Sequence, residues 1–121
     1  MILLDTCVLI QFLKGDSQIV SKVNKISSPL VISAISEIEL YYGAFNKAEQ
    51  KMLEQFCSKF KVIQLSSEIS KQSIKLIKAY AKSHSLDIPD SLIAATCLTN
   101  RFKLFTMNSK DFKYIQRMEL F

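Results

Sequence analysis

The stretch Met1-Ile-Leu-Leu-Asp5-Thr6-Cys-Val-Leu-Ile10 is an apolar run that meets an acid at its fifth residue. A short run of this kind reads as a buried strand. Asp5 then sits at the strand's C-terminal end, where open α/β sheets place their ligand sites. Asp5 also has the residue type and position of an N-cap for a helix starting near Thr6. The placement of the remaining acids favours a functional role over capping alone.

Gly15, Gly43, Pro29 and Pro89 are the only glycines and prolines among 121 residues. Neither a linker nor an internal repeat divides the chain, so one domain over residues 1–121 is expected. The pattern predicts a strand at 2–4, a helix to about Phe12, a break at Gly15 and Asp16, and a helix over 17–26. Pro29 ends that segment. A second strand is expected at 30–33, then a helix through Tyr42 that stops near Gly43, and another over about 47–57. Residues 61–64 form a weaker third strand. Ser66 can cap a long helix with Ile69, Ser73, Leu76, Ile77 and Tyr80 on its apolar face, ending by about Ser85. A strongly apolar helix follows over 90–98, then a fourth strand at 103–106 and a short final strand near 117–120. Strands alternating with helices give the α/β class with a parallel sheet.

Hydrophobic residues make up 49% of the chain, enough for a core that needs no disulfide or metal staple. Cys7, Cys57 and Cys97 lie far apart in apolar stretches, which fits small buried residues in a reducing compartment rather than a disulfide framework or zinc site. No signal-like N-terminus is present, and no apolar run approaches the roughly 20 residues that cross a bilayer, so a soluble cytoplasmic protein is expected. Lys and Arg number 16 against 11 Asp and Glu, for a formal charge of +5, which favours polyanionic partners. Lys71, Lys75, Lys78 and Lys82 fall on one stripe of a helix, readable either as a solvated face or as part of an RNA-binding path.

Glu39 shares helical spacing with Ile35, Ile38 and Tyr42, which predicts a carboxylate on the apolar side of its helix, whereas Glu37 points elsewhere. A buried carboxylate needs a cation, a hydrogen-bond network or a proton. Ser36 and Glu39 have capping-box spacing, but the apolar run already begins at Ser33 and Ala34, which makes Ser33 the better cap. Asp90 opens a helix whose next residues are nearly all apolar. Asp87, just before Ile88-Pro89, is the better cap there and leaves Asp90 one turn inside. The segment Thr106-Met-Asn108-Ser-Lys-Asp111-Phe112 follows the fourth strand directly. In a parallel sheet these strand ends lie on one side, so Asp5, Glu39, Asp90 and Asn108 or Asp111 can converge.

Clustered carboxylates with no Arg or His in the same motifs repel one another, and a hard divalent cation relieves the repulsion. Oxygen ligands suit Mg²⁺ or Mn²⁺ rather than zinc. Such a cation can activate water for in-line attack at phosphorus, and a basic surface can hold a nucleic acid backbone over the acidic pocket. Other chemistries fit poorly. His84 is the only histidine, which excludes a two-histidine ribonuclease, and there is no Gly-rich phosphate loop. A phosphoaspartate site would want a second acid beside Asp5, and Thr6-Cys7-Val8 supplies none.

Four motifs carry a resemblance to a known family: Leu3-Leu-Asp5-Thr6-Cys-Val-Leu; Ile32-Ser-Ala-Ile-Ser-Glu-Ile-Glu39-Leu40-Tyr-Tyr-Gly43; Asp90-Ser-Leu-Ile-Ala-Ala95; and Thr106-Met-Asn108-Ser-Lys-Asp111-Phe112. In this order and spacing the chain resembles PIN-domain proteins, and specifically VapC-type toxin ribonucleases of toxin-antitoxin pairs, over essentially its whole length. The resemblance implies a sheet of four or five parallel strands flanked by helices, a Mg²⁺ or Mn²⁺ site and endoribonuclease activity. It also implies homodimerisation and inhibition by a small antitoxin that enters the active-site groove. By the same resemblance Asp5, Glu39 and Asp90 are metal ligands, Asp111 joins them as a catalytic acid, and Thr6 supports the site. Many relatives carry an acid where this chain has Asn108, so Asn108 ligates through its amide oxygen, positions a water, or leaves a weaker second metal site. A non-catalytic PIN-like module that binds RNA or protein is the alternative reading.

Overall fold

Strand β1 (Ile2–Leu4) divides the core by the direction of its three side chains. Ile2 and Leu4 pack on one side with Val8, Leu9, Ile32 and Phe56. Leu3 packs on the other with Val31, Ile69, Ile93 and Leu104. This two-residue alternation with apolar contacts on both sides marks a strand covered on both faces.

The computed structural model describes Met1–Phe121. Strands β2 (Leu30–Ser33), β3 (Lys61–Ile63) and β4 (Lys103–Phe105) join β1 in the order β3-β2-β1-β4, every pair parallel. Parallel neighbours require crossovers, and helices supply them. Helices α1 (Thr6–Leu13) and α2 (Ser17–Lys25) lead from β1 to β2, and α3 (Ala34–Tyr42) and α4 (Lys47–Cys57) lead from β2 to β3. All four contribute to the core on the Ile2 and Leu4 side. Helices α5 (Ser67–His84) and α6 (Ile88–Asn100) return across the opposite face to β4. The strand order therefore reverses between β1 and β4, the position at which open α/β sheets form a crevice.

Local chemistry sets the element ends. Asp16, Ser33, Ser66 and Asp87 each accept a backbone N–H at a helix start, as expected for Ser33, Ser66 and Asp87. Gly15 adopts φ +79°, a left-handed turn that lets α2 start immediately after α1. Gly43 ends α3 with φ −83°, so no left-handed backbone demands glycine there. Ser73 and Ser91 share a buried 2.6 Å hydrogen bond between α5 and α6, and fully buried Ala94 and Ala95 add little bulk along α6.

The expected final strand is reduced to a single parallel bridge between Leu120 and Leu104. Only the bonds from Leu104 N–H to the Glu119 carbonyl and from Phe121 N–H to the Leu104 carbonyl form, at 2.9 and 2.8 Å. Residues 109–118 are turned rather than extended, so the chain reaches β4 too late for a full strand, and the sheet has four strands. No helix is long and apolar enough to cross a membrane.

Leu3→Ala is expected to lower unfolding free energy by about 2–5 kcal/mol, the usual cost of truncating a fully buried Leu. Ile74→Ala, at a position 56% exposed, should stay within about 0.5 kcal/mol. Urea titration followed by circular dichroism measures both.

Candidate active site

Because β1 and β4 are parallel with Leu4 opposite Phe105, the next residues, Asp5 and Thr106, leave the sheet side by side. Asp5 N–H donates to the Phe105 carbonyl at 2.9 Å. The Asp5 side chain is buried, 6% exposed, and both of its oxygens are engaged. Oδ1 accepts the Thr6 N–H at 2.8 Å, which makes Asp5 the cap of α1. Oδ2 accepts the Thr106 hydroxyl at 2.8 Å and the Cys7 thiol at 3.5 Å. Capping and site roles thus coexist in one carboxylate.

The Thr6 hydroxyl donates to Glu39 Oε1 at 2.8 Å. With its one proton committed there, the 2.7 Å contact between Thr6 and Ser36 has the Ser36 hydroxyl as donor. Thr6 therefore connects the start of α1 to the middle of α3 and holds Glu39 near Asp5. The expected burial of Glu39 needs correction. The inward face of α3 is Ser36 and Leu40, while Ile38 and Tyr42 are 54% and 93% exposed. Small Ser36 lets α3 pack close to Thr6, and that rotation turns the Ile38 and Tyr42 stripe outward. Glu39 is half-buried on the wall of a groove of about 340 Å³ shared with Ile10, Leu13, Leu40, Met52 and Leu53. Glu37 points elsewhere, as expected, and accepts the Tyr41 hydroxyl at 2.7 Å.

Asp90 is half-buried one turn into α6, behind the Asp87 cap. Burial pushes its carboxyl up to about 7, reinforced by the negative charges of Asp87, Asp5, Asp111 and Glu39. That response places Asp90 within the field of every acid singled out in the sequence. Asp111 is exposed at the end of the short 3₁₀ turn Ser109–Asp111. Asn108 precedes that turn, exposed, and its side chain makes no capping bond. Its backbone N–H donates to Thr106 Oγ1 at 3.0 Å, which ties the turn to the hydroxyl that holds Asp5.

The donors that reach Asp5 and Glu39 are amide, hydroxyl and thiol groups, none of them cationic. No three Asp, Glu, His or Cys side chains close into a cage around one point. Lys14 lines the groove beside Glu39, but no Lys or Arg hydrogen-bonds Asp5 or Glu39, and carboxylates held by neutral donors suit a hard cation that takes few protein ligands and keeps several waters.

Thr106, Ser36 and Cys7 were not assigned roles from the sequence, yet each hydrogen-bonds a site group. Thr106 had a usable signal, since equal strand lengths in β1 and β4 align it with Asp5. Cys57 and Cys97 are buried as expected, whereas Cys7 is only half-buried. Burial raises its thiol, and the Asp5 charge adds to the shift. Lys71, Lys75, Lys78 and Lys82 are all exposed. At about 100° per residue they lie roughly opposite Ile69, Ser73 and Leu76, the buried face of α5 on the α6 side, so the stripe faces away from the acids.

The PIN domain family profile matches residues 2–118, and the chain belongs to that family. Among solved structures it is similar to a chain of a toxin-antitoxin complex from Klebsiella pneumoniae, with 29% identity, TM-score 0.83, and 96% and 93% of the two chains covered. It is also similar to chains of VapBC2 from Rickettsia felis bound to a promoter DNA fragment and of VapBC-1 from nontypeable Haemophilus influenzae. Each is 25% identical with a TM-score of 0.85, and coverage is 100% of this chain and 98% and 97% of theirs. No curated protein matches the sequence. PIN domains are generally nucleases, and these neighbours support a toxin nuclease of the VapC type.

The raised Asp90 carboxyl makes stability depend on pH with a definite sign. Unfolded, the group titrates near 3.8; folded, near 7. Between these values the folded chain holds a proton that the unfolded chain has lost, so stability falls as pH rises through the window. Asp90→Asn should therefore leave the melting temperature little changed near pH 4 and raise it at pH 8. Scanning calorimetry at the two pH values checks this, and an equal shift at both would remove the charge effect.

Proposed function

We propose that this chain is a divalent-metal-dependent endoribonuclease, the cytoplasmic toxin of a type II toxin-antitoxin pair, with Asp5, Glu39 and Asp90 as ligands of Mg²⁺ or Mn²⁺. The observation that carries the reading is half-buried Asp90, pushed up to about 7 by burial and then by the charges of Asp87, Asp5, Asp111 and Glu39. In a protein of formal charge +5, acids that act on one another offer a site for a cation, and the basic excess elsewhere offers a surface for a polyanion.

When bound, the cation supplies charge neutralisation at the phosphodiester and lowers the pKa of an attacking water. The chain's own residues prepare that chemistry. Thr6 N–H, Thr106 and Cys7 fix both Asp5 oxygens, so this ligand is aimed before any ion arrives. The Thr6 hydroxyl holds one Glu39 oxygen, Oε1, and is itself held by Ser36. Asp90, raised to about 7 by burial and the neighbouring acids, would hold a cation in its deprotonated form, so cation affinity should rise with pH. Asp111 and Asn108, both exposed at the short turn after β4, would hold a water or a substrate oxygen.

The apolar groove beside Glu39, together with exposed Ile38, Tyr42 and Phe45, favours a small protein partner that covers the acids. That partner is proposed to be the cognate antitoxin, with a second copy of the chain completing a homodimer.

Purified protein with Mn²⁺ or Mg²⁺ should cleave RNA, and chelation should stop it. Asp5→Asn, Glu39→Gln and Asp90→Asn should each lower the cleavage rate about 100-fold or more, the scale of losing one preorganised electrostatic group. Circular dichroism should show all three folded. Asp16→Asn, which keeps the α2 cap, and Glu37→Gln should retain activity. Retention of RNA without products in the wild-type protein would instead favour a binding module.

A further inference from the structure

Close to the carboxylates, three rings take no part in the chemistry above. The His84 imidazole stacks on Tyr114 with centroids 4.2 Å apart and planes 9° from parallel. Every other aromatic pair in the molecule is tilted or edge-on. Tyr80 meets Tyr114 at 5.2 Å and His84 at 5.7 Å, both edge-on, so Tyr80 and Tyr114 lie to the same side of the imidazole. The stack is held from several directions. The Gln116 N–H donates to the Tyr80 hydroxyl at 3.3 Å, and the Ser83 hydroxyl lies 2.7 Å from His84 Nδ1. His84 is nonetheless exposed, which leaves the imidazole face away from Tyr114 open to a planar group.

Chain connectivity sets this stack beside the acids. His84 ends α5, and Ser85, with φ +58°, turns the chain into the Asp87 cap and then Asp90. Tyr114 follows Asp111 by three residues. The Tyr114 phenol is raised by burial and then by the charges of Asp90, Asp111 and Asp87, which places the ring in the field of the site. Exposed Lys110 and Lys113 lie next to Tyr114 in the chain.

Phosphates are repelled by the carboxylates, so a strand drawn to this crevice gains from an attachment that does not depend on charge. Unpaired bases in single strands and loops offer planar faces, and proteins hold them by stacking on His, Tyr, Phe or Trp. We propose that the His84–Tyr114 stack is a base-stacking subsite that seats one nucleobase of single-stranded or looped RNA beside the carboxylates, while neighbouring lysines take flanking phosphates. The proposal rests on the RNA-nuclease reading and adds to it a substrate-positioning residue, His84.

Two labelled probes of equal length and charge, about 12 units each, separate the contributions: a mixed-sequence RNA and a ribose-phosphate chain lacking all bases. Binding is measured by fluorescence anisotropy with the metal chelated, so no turnover occurs. Wild-type protein should prefer the RNA, and His84→Ala should weaken RNA binding about 5- to 150-fold, the range for loss of one base stack. Binding to the baseless chain should not change. His84→Trp, which restores a ring face, should recover the preference, and melting temperatures of both variants should match the wild type. An equal loss on both probes would make His84 a charge contact and overturn the proposal, as would no loss on either. Unchanged RNA binding with weakened antitoxin binding would assign the rings to a protein partner and also overturn it. Wild-type protein that binds neither probe would defeat the RNA reading itself, an outcome distinct from those of the variants.

Discussion

Parallel pairing of β1 between β2 and β4 is the constraint on which the rest of the structure depends. It sends the chain out of the sheet at one edge each time a strand ends, and the order β3-β2-β1-β4 opens a crevice between β1 and β4. Asp5 follows β1, Ser33 closes β2 and starts the helix that carries Glu39, and Thr106 follows β4. Asp90 reaches the same edge from α6, which is packed across the opposite face against α5. Four segments distant in sequence thus deliver carboxylates to one place without a loop longer than a few residues.

Burying an acid among others has a cost, visible at Asp90, whose carboxyl is held up near 7 by burial first and by the neighbouring charges second. The protein meets part of that cost with neutral donors. Thr6 serves two acids, through its N–H to Asp5 and its hydroxyl to Glu39; Thr106 orients the second Asp5 oxygen, and Ser36 holds the Thr6 hydroxyl in place. Hydroxyls fix direction without neutralising charge, whereas a Lys or Arg in the same places would cancel the field that a cation needs. A site built this way is stable enough to fold and unfavourable enough to bind.

Much of this was legible in the sequence because the punctuation is sparse and unambiguous. Ser33, Ser66 and Asp87 are side-chain caps, and the apolar runs at 2–4, 30–33 and 103–106 are strands too short and too apolar for amphipathic helices. That these acids can converge follows from parallel topology, because strand ends lie on one side of the sheet. What periodicity could not give was the rotation of α3. A stripe of Ile35, Ile38 and Tyr42 reads as a core face, but Ser36 and Leu40 form the inward one, because close packing on Thr6 favours a small residue. Contacts made across strand register were equally hidden: Cys7 and Thr106 meet Asp5 only once β1 and β4 are known to be neighbours. The lysine stripe on α5 was read correctly as one face, yet its direction depends on which side of α5 packs on α6. His84 is exposed yet stacked on Tyr114, a contact between segments thirty residues apart that no local pattern announces.

The central claim is that the acids at the β1/β4 crevice form one hard-cation site. A crystal of the protein soaked in Mn²⁺, measured for anomalous scattering, tests it most directly. The expected result is a Mn²⁺ peak coordinated by carboxylate oxygens of Asp5 and Asp90, at about 2.0–2.2 Å with waters completing the shell. An empty crevice at millimolar Mn²⁺, or Mn²⁺ bound only at other surface acids, would contradict it.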